Sequence, residues 1–172
     1  MGLRAAIESW GATREELQRP LPCDRLVPEA RVLVRAVDVE APTEVVFRWL
    51  CQLRVAPYSY DWIDNRGRRS PQRLTPGVDR LERGQRMVAI FRLADFVDGR
   101  SLTLESRSRL LGHVALTYEV RPRGERASRL VLRIAWGRPR LPLVRTLLPA
   151  GDLIMARRQL LNFKRLAESH SA

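Results

Sequence analysis

The sequence predicts an α+β fold: a curved antiparallel β-sheet wrapped around one long C-terminal α-helix, with two short helices after the first strand. Three observations carry this expectation. Between Arg86 and Trp136 apolar residues recur at every second position in successive segments, as in half-buried strands joined by hairpins. From Gly151 to Ala167 the period becomes helical and places Leu153, Ala156, Leu160, Phe163 and Ala167 on one stripe. A sheet with one apolar face must bury it against another layer, and this helix is the largest element available for that purpose.

Residues 1–30 read as an N-terminal helix and extended arm packed on the body, and residues 31–172 as a single domain; 172 residues suffice for one substantial core. Thr13 followed by Glu16 is a capping-box pattern, and Pro20 stops that helix. Pro20, Pro22 and Pro28 keep the following arm extended. Arg31–Glu40 is the first strand. Val32, Val34 and Ala36 alternate with Arg31 and Arg35, after which the apolar phase moves to Val37 and Val39, a slip that predicts a bulge or sharp bend.

Thr43 is the expected N-cap of a short helix carrying Val45, Val46, Trp49, Leu50 and Leu53 inward. A second helical turn or short helix runs through Tyr58–Ile63 and ends at Asn65 and Gly67. Residues 64–84, punctuated by Gly67, Pro71, Pro76 and Gly77, form a long connection that reads as an ordered lid or binding loop, or as a disordered excursion. Met87, Ala89, Phe91 and Leu93 then define a strand, and Asp98–Arg100 a hairpin turn. Leu102 and Leu104 lie opposite Glu105 and Arg107, which face solvent. Val114, Leu116, Tyr118 and Val120, then Leu130, Leu132, Ile134 and Trp136, complete the meander. Asp152 near the start of the last helix and Lys164 and Arg165 near its end suit the helix macrodipole.

Composition narrows the function classes. Hydrophobic residues at 45% and charged residues at 29% are those of a globular domain, and no apolar run approaches the ~18 residues of a membrane span. The first twenty residues lack the apolar core of a secretory signal, and Cys23 and Cys51 are too few for a disulfide framework, so the expected location is the cytoplasm. A net charge of +12 invites nucleic acid as a partner. The cations are nearly all arginine, however, and scatter from Arg4 to Arg165. Their densest run, Arg66–Arg73, sits in a Gly- and Pro-containing loop, and nucleic-acid binding is not expected.

His113 and His170 are the only imidazoles, and neither has a partner at metal-ligand spacing, which argues against a metal site and a Ser/His/Asp triad. Neither GxGxxG nor GK[ST] occurs, and no cofactor is expected. The stretch YSYDWIDNRG gathers Tyr58, Tyr60 and Trp62 around Asp61 in a chain with three Tyr and four Trp. It reads as a core anchor, as one wall of a ligand site, or as a Tyr/Asp arrangement that moves protons, and Tyr58, Tyr60 and Asp61 are the catalytic candidates. Arg157 and Arg158 cannot both share the Leu160 stripe, and one of them is expected to reach a carboxylate such as Asp61 or Asp152.

The runs LPCDRLVPEA, VDVEAPTEVVFRWLCQLR, YSYDWIDN, LERGQ and GDLIMARRQLLNFKRLAE, spanning the chain from about Trp10 onward, resemble the START-like, helix-grip superfamily of the birch pollen allergen and bacterial polyketide cyclases. More narrowly, they resemble its actinobacterial branch often labelled SRPBCC. The resemblance implies a hydrophobic cavity between sheet and C-terminal helix. In that setting Tyr58, Tyr60, Trp62, Phe91, Leu104, Tyr118, Trp136 and Leu153 are the expected ligand-binding residues; Tyr118 and Trp136 read equally as core rings. No shared catalytic motif comes with the resemblance. The function it implies is binding of a hydrophobic or amphipathic small molecule, as carrier or sensor; the alternative is a polyketide cyclase or aromatase working in the same cavity.

Overall fold

The structure is a computed structural model that describes residues 8–65, 67–88, 90–108, 112–137 and 142–171, with the backbone alone for 64, 142–150, 152 and 171. Arg66, Ala89 and the side chain of Asp152, which entered the sequence reading, lie outside this description. In chain order the elements are α1 (Arg14–Gln18), α2 (Pro22–Leu26), β1 (Arg31–Val39), α3 (Thr43–Cys51) with a 3-10 turn (Gln52–Arg54), α4 (Asp61–Asp64), β2 (Arg92–Val97), β3 (Ser101–Ser108), β4 (Gly112–Pro122), β5 (Ser128–Trp136) and α5 (Pro142–Ser171). The strands form one antiparallel five-stranded sheet of order β1-β5-β4-β3-β2.

The registers define the two faces. On the inner face Leu33 of β1 stands in a row with Ile134 of β5, Leu116 of β4 and Leu104 of β3, Arg35 with Leu132, Tyr118 and Leu102, and Val37 with Leu130 and Val120; Val39 continues the same phase. This inner face grips α5 through Leu160, Phe163 and Leu166, and α3 closes the layer through Val46, Phe47, Trp49 and Leu50. The thirty-residue α5 begins before the Gly151 of the sequence expectation.

The outer face is covered as well, by residues 8–27. The capping box at Thr13 and Glu16 forms as expected. Glu16 receives Arg129 at 2.8 Å, Asp24 receives Arg133 at 2.8 Å, and Arg19 and Arg121 meet Glu119 at 3.0 and 2.6 Å. The Cys23 amide donates to Thr117 at 3.1 Å. Charged and hydroxyl side chains on the outward phase of β4 and β5 are thus paired beneath a lid of short helices, as buried polar groups must be. Along the free edge of β1, the Ala36 amide donates to the Trp10 carbonyl at 3.1 Å. The neighbouring Gly11 has φ 70, and a Cβ there would stand 2.2 Å from the Ala36 oxygen.

Several local expectations are corrected. β1 pairs with β5 without interruption from Arg31 to Val39, so there is no bulge at 36–37. The phase slip arises because both faces are buried, Val34 and Ala36 outward and Leu33, Val37 and Val39 inward. The sheet's irregularity instead lies in β2, between Leu93 and Asp95. Thr43 is the first residue of α3 rather than its cap: the Pro42 carbonyl accepts from Val45 and Val46, and the Thr43 hydroxyl donates to Glu44 at 3.0 Å. The strand expected from Met87 starts only at Arg92. The Leu93 amide donates back to the Gln85 carbonyl at 2.9 Å and Met87 to Phe91 at 3.0 Å, which folds the segment into a tight turn.

Candidate functional site

Tyr58 holds the centre of the site. It has φ 56, a left-handed backbone that costs a non-glycine residue on the order of 1–3 kcal/mol and persists only where its surroundings enforce it. The enforcement comes from both peptide groups: its amide donates to Ser70 Oγ at 3.3 Å, and its carbonyl accepts from Asn162 Nδ2 of α5 at 2.8 Å. That conformation delays α4 to Asp61 and turns the ring inward, 1% exposed, with its centroid 5.2 Å from Phe163 and 6.2 Å from Trp49. The Tyr58 hydroxyl and the Trp49 indole nitrogen are both buried, and neither has a hydrogen-bond partner among the described residues. Burial, then the charge of Asp61, pushes the Tyr58 phenol well above its ordinary range, so it keeps its proton.

A second polar line crosses the interior. Tyr118 donates to Gln159 Oε1 at 2.5 Å, and Gln159 Nε2 donates to the Pro57 carbonyl at 2.5 Å, which couples β4, α5 and the segment before Tyr58. Arg35 is fully buried and stands on the same inward phase, in the row Arg35, Leu132, Tyr118, Leu102; its Nη1 donates to the Val34 carbonyl at 3.0 Å. The sequence alternation sets Arg35 with Arg31, on the phase opposite the apolar Val32, Val34 and Ala36. The missed signal was the phase slip itself, since an inward phase set by Leu33, Val37 and Val39 includes Arg35.

The other expected residues separate. Asp61 does not approach the Tyr58 hydroxyl as a base among the described contacts: its carboxylate accepts from the Ser70 amide at 2.8 Å and hydroxyl at 2.5 Å, folding the loop back. Tyr60 is half-buried under Arg158, 5.9 Å from the ring centroid, and Trp62 is 76% exposed. Arg157 lies 5.3 Å over Trp10. The two arginines therefore stack on rings, and Asp61 takes its partners from Ser70. Leu104 is fully buried, Phe91 and Trp136 pack against the core from its edge, and Leu153 is half-buried. Within the connection 64–84, Ser70 and Val78 are buried and Gln52 accepts from the Thr75 amide at 3.2 Å. Between it and α3 lies a shallow cleft of about 170 Å³ beside Arg48 and Asp79.

His113 is half-buried on the outer side of β4, 3.3 Å from Glu105. Burial raises the Cys23 thiol to about 11 and the Cys51 thiol to about 12, which removes both as nucleophiles near neutral pH. Among the described residues no group of three or more His, Cys, Asp or Glu is placed to hold a metal ion, and no helix is long and apolar enough to cross a membrane.

No family model matches the sequence, and no curated protein matches it. Solved structures do. The Zhui aromatase/cyclase from Streptomyces sp. R1128 superposes with a TM-score of 0.60 at 17% identity, over 84% of this chain and 97% of its own. The di-domain ARO/CYC BexL from the BE-7585A biosynthetic pathway gives 0.52 at 14% identity over 80% of this chain, and DynU16 from the dynemicin biosynthetic locus 0.51 at 15% over 80%. The chain spans about half of each of those two, 46% and 49%. The structure thus has a helix-grip fold, shared with the Zhui aromatase/cyclase and the ARO/CYC BexL.

Proposed function

We propose that the protein binds an oxygenated hydrophobic small molecule between the sheet and α5 and acts on it as an aromatase/cyclase-type enzyme. The observation that carries this reading is the buried pair of donors, Tyr58 O–H and Trp49 Nε1–H, each without an acceptor among the described residues. A buried donor left unmatched costs about 1–3 kcal/mol, and a ligand oxygen would recover it. The strained Tyr58 backbone, locked from two sides, supports the same reading, as does the fold shared with Zhui and BexL.

In a poly-β-carbonyl chain, a methylene between two carbonyls gives up a proton to water and its carbon attacks a carbonyl carbon. The new C–C bond leaves charge on that carbonyl oxygen, which takes up a proton, and loss of water then unsaturates the ring. Tyr58, kept protonated by burial, passes its proton to the developing alkoxide and regains one from the water that took up the methylene proton, and Arg35 supplies positive charge on the inner face for an enolate oxygen. Binding without turnover is the second reading, favoured by the capture of the Asp61 carboxylate by Ser70. Incubation with a linear poly-β-ketone, followed by ultraviolet absorbance of aromatic product, separates them. Turnover that falls by about a hundredfold or more in Tyr58→Phe supports the enzyme. Binding with no turnover in the wild type leaves the carrier, and neither binding nor turnover refutes both.

A further inference from the structure

The loop that fixes Tyr58 also builds a surface that the interior site does not use. Trp62 is 76% exposed and Ile63 55%, at the tip of α4. An exposed tryptophan of this kind normally marks a contact, because burying such a ring is among the largest gains a side chain can make. The tip is held in shape: the Asp61 carbonyl accepts from Gly67 N–H at 2.9 Å, Asn65 Nδ2 donates to the Arg68 carbonyl at 2.6 Å, and Asp61 holds Ser70. Arg68, bonded to Asn65, and Arg69 after it are both exposed in the same loop as the apolar tip.

On the flank, α5 presents Arg158, Leu161 and Arg165 on one stripe, spaced i, i+3 and i+7. Leu161 is 39% exposed. This stripe adjoins the tip, because Arg158 covers Tyr60, Asn162 holds Tyr58, and Arg165 donates to Gln72 at 2.7 Å. The one carboxylate described within the tip, Asp61, is engaged with Ser70.

We infer that this face docks on an anionic lipid surface, with Trp62 and Ile63 entering the headgroup boundary and the flanking arginines meeting lipid phosphates. Apolar tip and cationic surround are the two complementary parts of interfacial binding, each weak alone. An acidic protein would engage the arginines without requiring a protruding indole. Only three residues separate the exposed Trp62 from the buried Tyr58, so a hydrophobic molecule lying in the bilayer is presented beside the interior.

The test is flotation of the full chain with vesicles of phosphatidylcholine alone or mixed with phosphatidylglycerol, read together with tryptophan emission. Binding to the mixed vesicles alone, weakened by salt and accompanied by a blue shift, is expected. Trp62→Ala should weaken it about tenfold and abolish most of the shift, and Arg68→Gln with Arg69→Gln should weaken it about twentyfold. All three side chains are exposed, and thermal unfolding should stay near that of the wild type. No binding to the anionic vesicles, equal binding to neutral ones, or binding that survives both sets of substitutions overturns the inference. Binding that Trp62→Ala leaves intact while polyglutamate abolishes it assigns the face to an acidic macromolecule instead.

Discussion

Tyr58→Phe isolates the feature on which the functional reading depends. A tyrosine whose hydroxyl is well bonded in the core loses about 0.5–1.5 kcal/mol when the oxygen is removed. At Tyr58 the sign should reverse. Its hydroxyl is buried without a partner among the described residues, a state that costs about 1–3 kcal/mol. Removing one oxygen opens only ~10 Å³, which at ~24 cal/mol per Å³ costs about 0.2 kcal/mol, while the contacts with Phe163 and Trp49 persist. The net is a stabilisation of about 1–3 kcal/mol, or a Tm higher by roughly 2–12 °C for a chain of this size. Tyr118→Phe is the internal control, because its hydroxyl donates to the buried Gln159. That variant should melt lower. Differential scanning calorimetry of the ligand-free protein reads both. A Tm for Tyr58→Phe at or below that of the wild type would mean that the hydroxyl is satisfied, and would refute the reasoning.

Two other perturbations test the shell around it. Asp61→Ala removes both acceptors of Ser70, which itself receives the Tyr58 amide, and should destabilise by about 2–4 kcal/mol in denaturant unfolding with Asp61→Asn intermediate; unchanged stability would contradict a latch. Burial by itself would raise the Glu16 carboxyl, but bonds from Arg129 and the Thr13 amide outweigh it and hold the group below its ordinary 4.5. Its folded pKa being depressed, the stability it contributes is complete above the unfolded value and is lost as pH falls through the folded one. Glu16→Gln should therefore lower stability at neutral pH and flatten the decline below about pH 4.5, measured by urea titration at several pH values.

The layered fold was legible because its strongest signals are periodic. Val114–Val120 and Leu130–Trp136 alternate without error, and the stripe from Ala156 to Ala167 fixes the inward side of α5. Signals failed where burial has two sides. β1 is covered outward by residues 8–12 and inward by α5, so alternation in its sequence no longer marks one face, and the pattern alone sets Arg35 with Arg31 opposite Val34 and Ala36 without showing that this is the buried inner phase. The site was half legible. Clustered rings singled out 58–62, yet one residue of left-handed backbone at Tyr58 sends its ring inward, leaves Tyr60 half-buried and puts Trp62 outside. No residue-type preference foretells a tyrosine at φ 56. Asn162 and Ser70, which enforce it, are distant in sequence. Trp49 was read as packing alone, and nothing in a helical stripe reveals that its indole nitrogen lacks an acceptor.

The central claim is that the interior takes an oxygenated hydrophobic molecule at Tyr58 and Trp49. Native mass spectrometry of freshly purified wild-type protein, beside the Tyr58→Phe and Trp49→Phe variants, measures it directly. The account predicts a bound organic molecule on the wild type, carrying carbonyl or hydroxyl oxygen, with its occupancy reduced in both variants. Bare protein that also fails to take up a poly-β-ketone in titration, or a ligand retained equally by all three proteins, would contradict it.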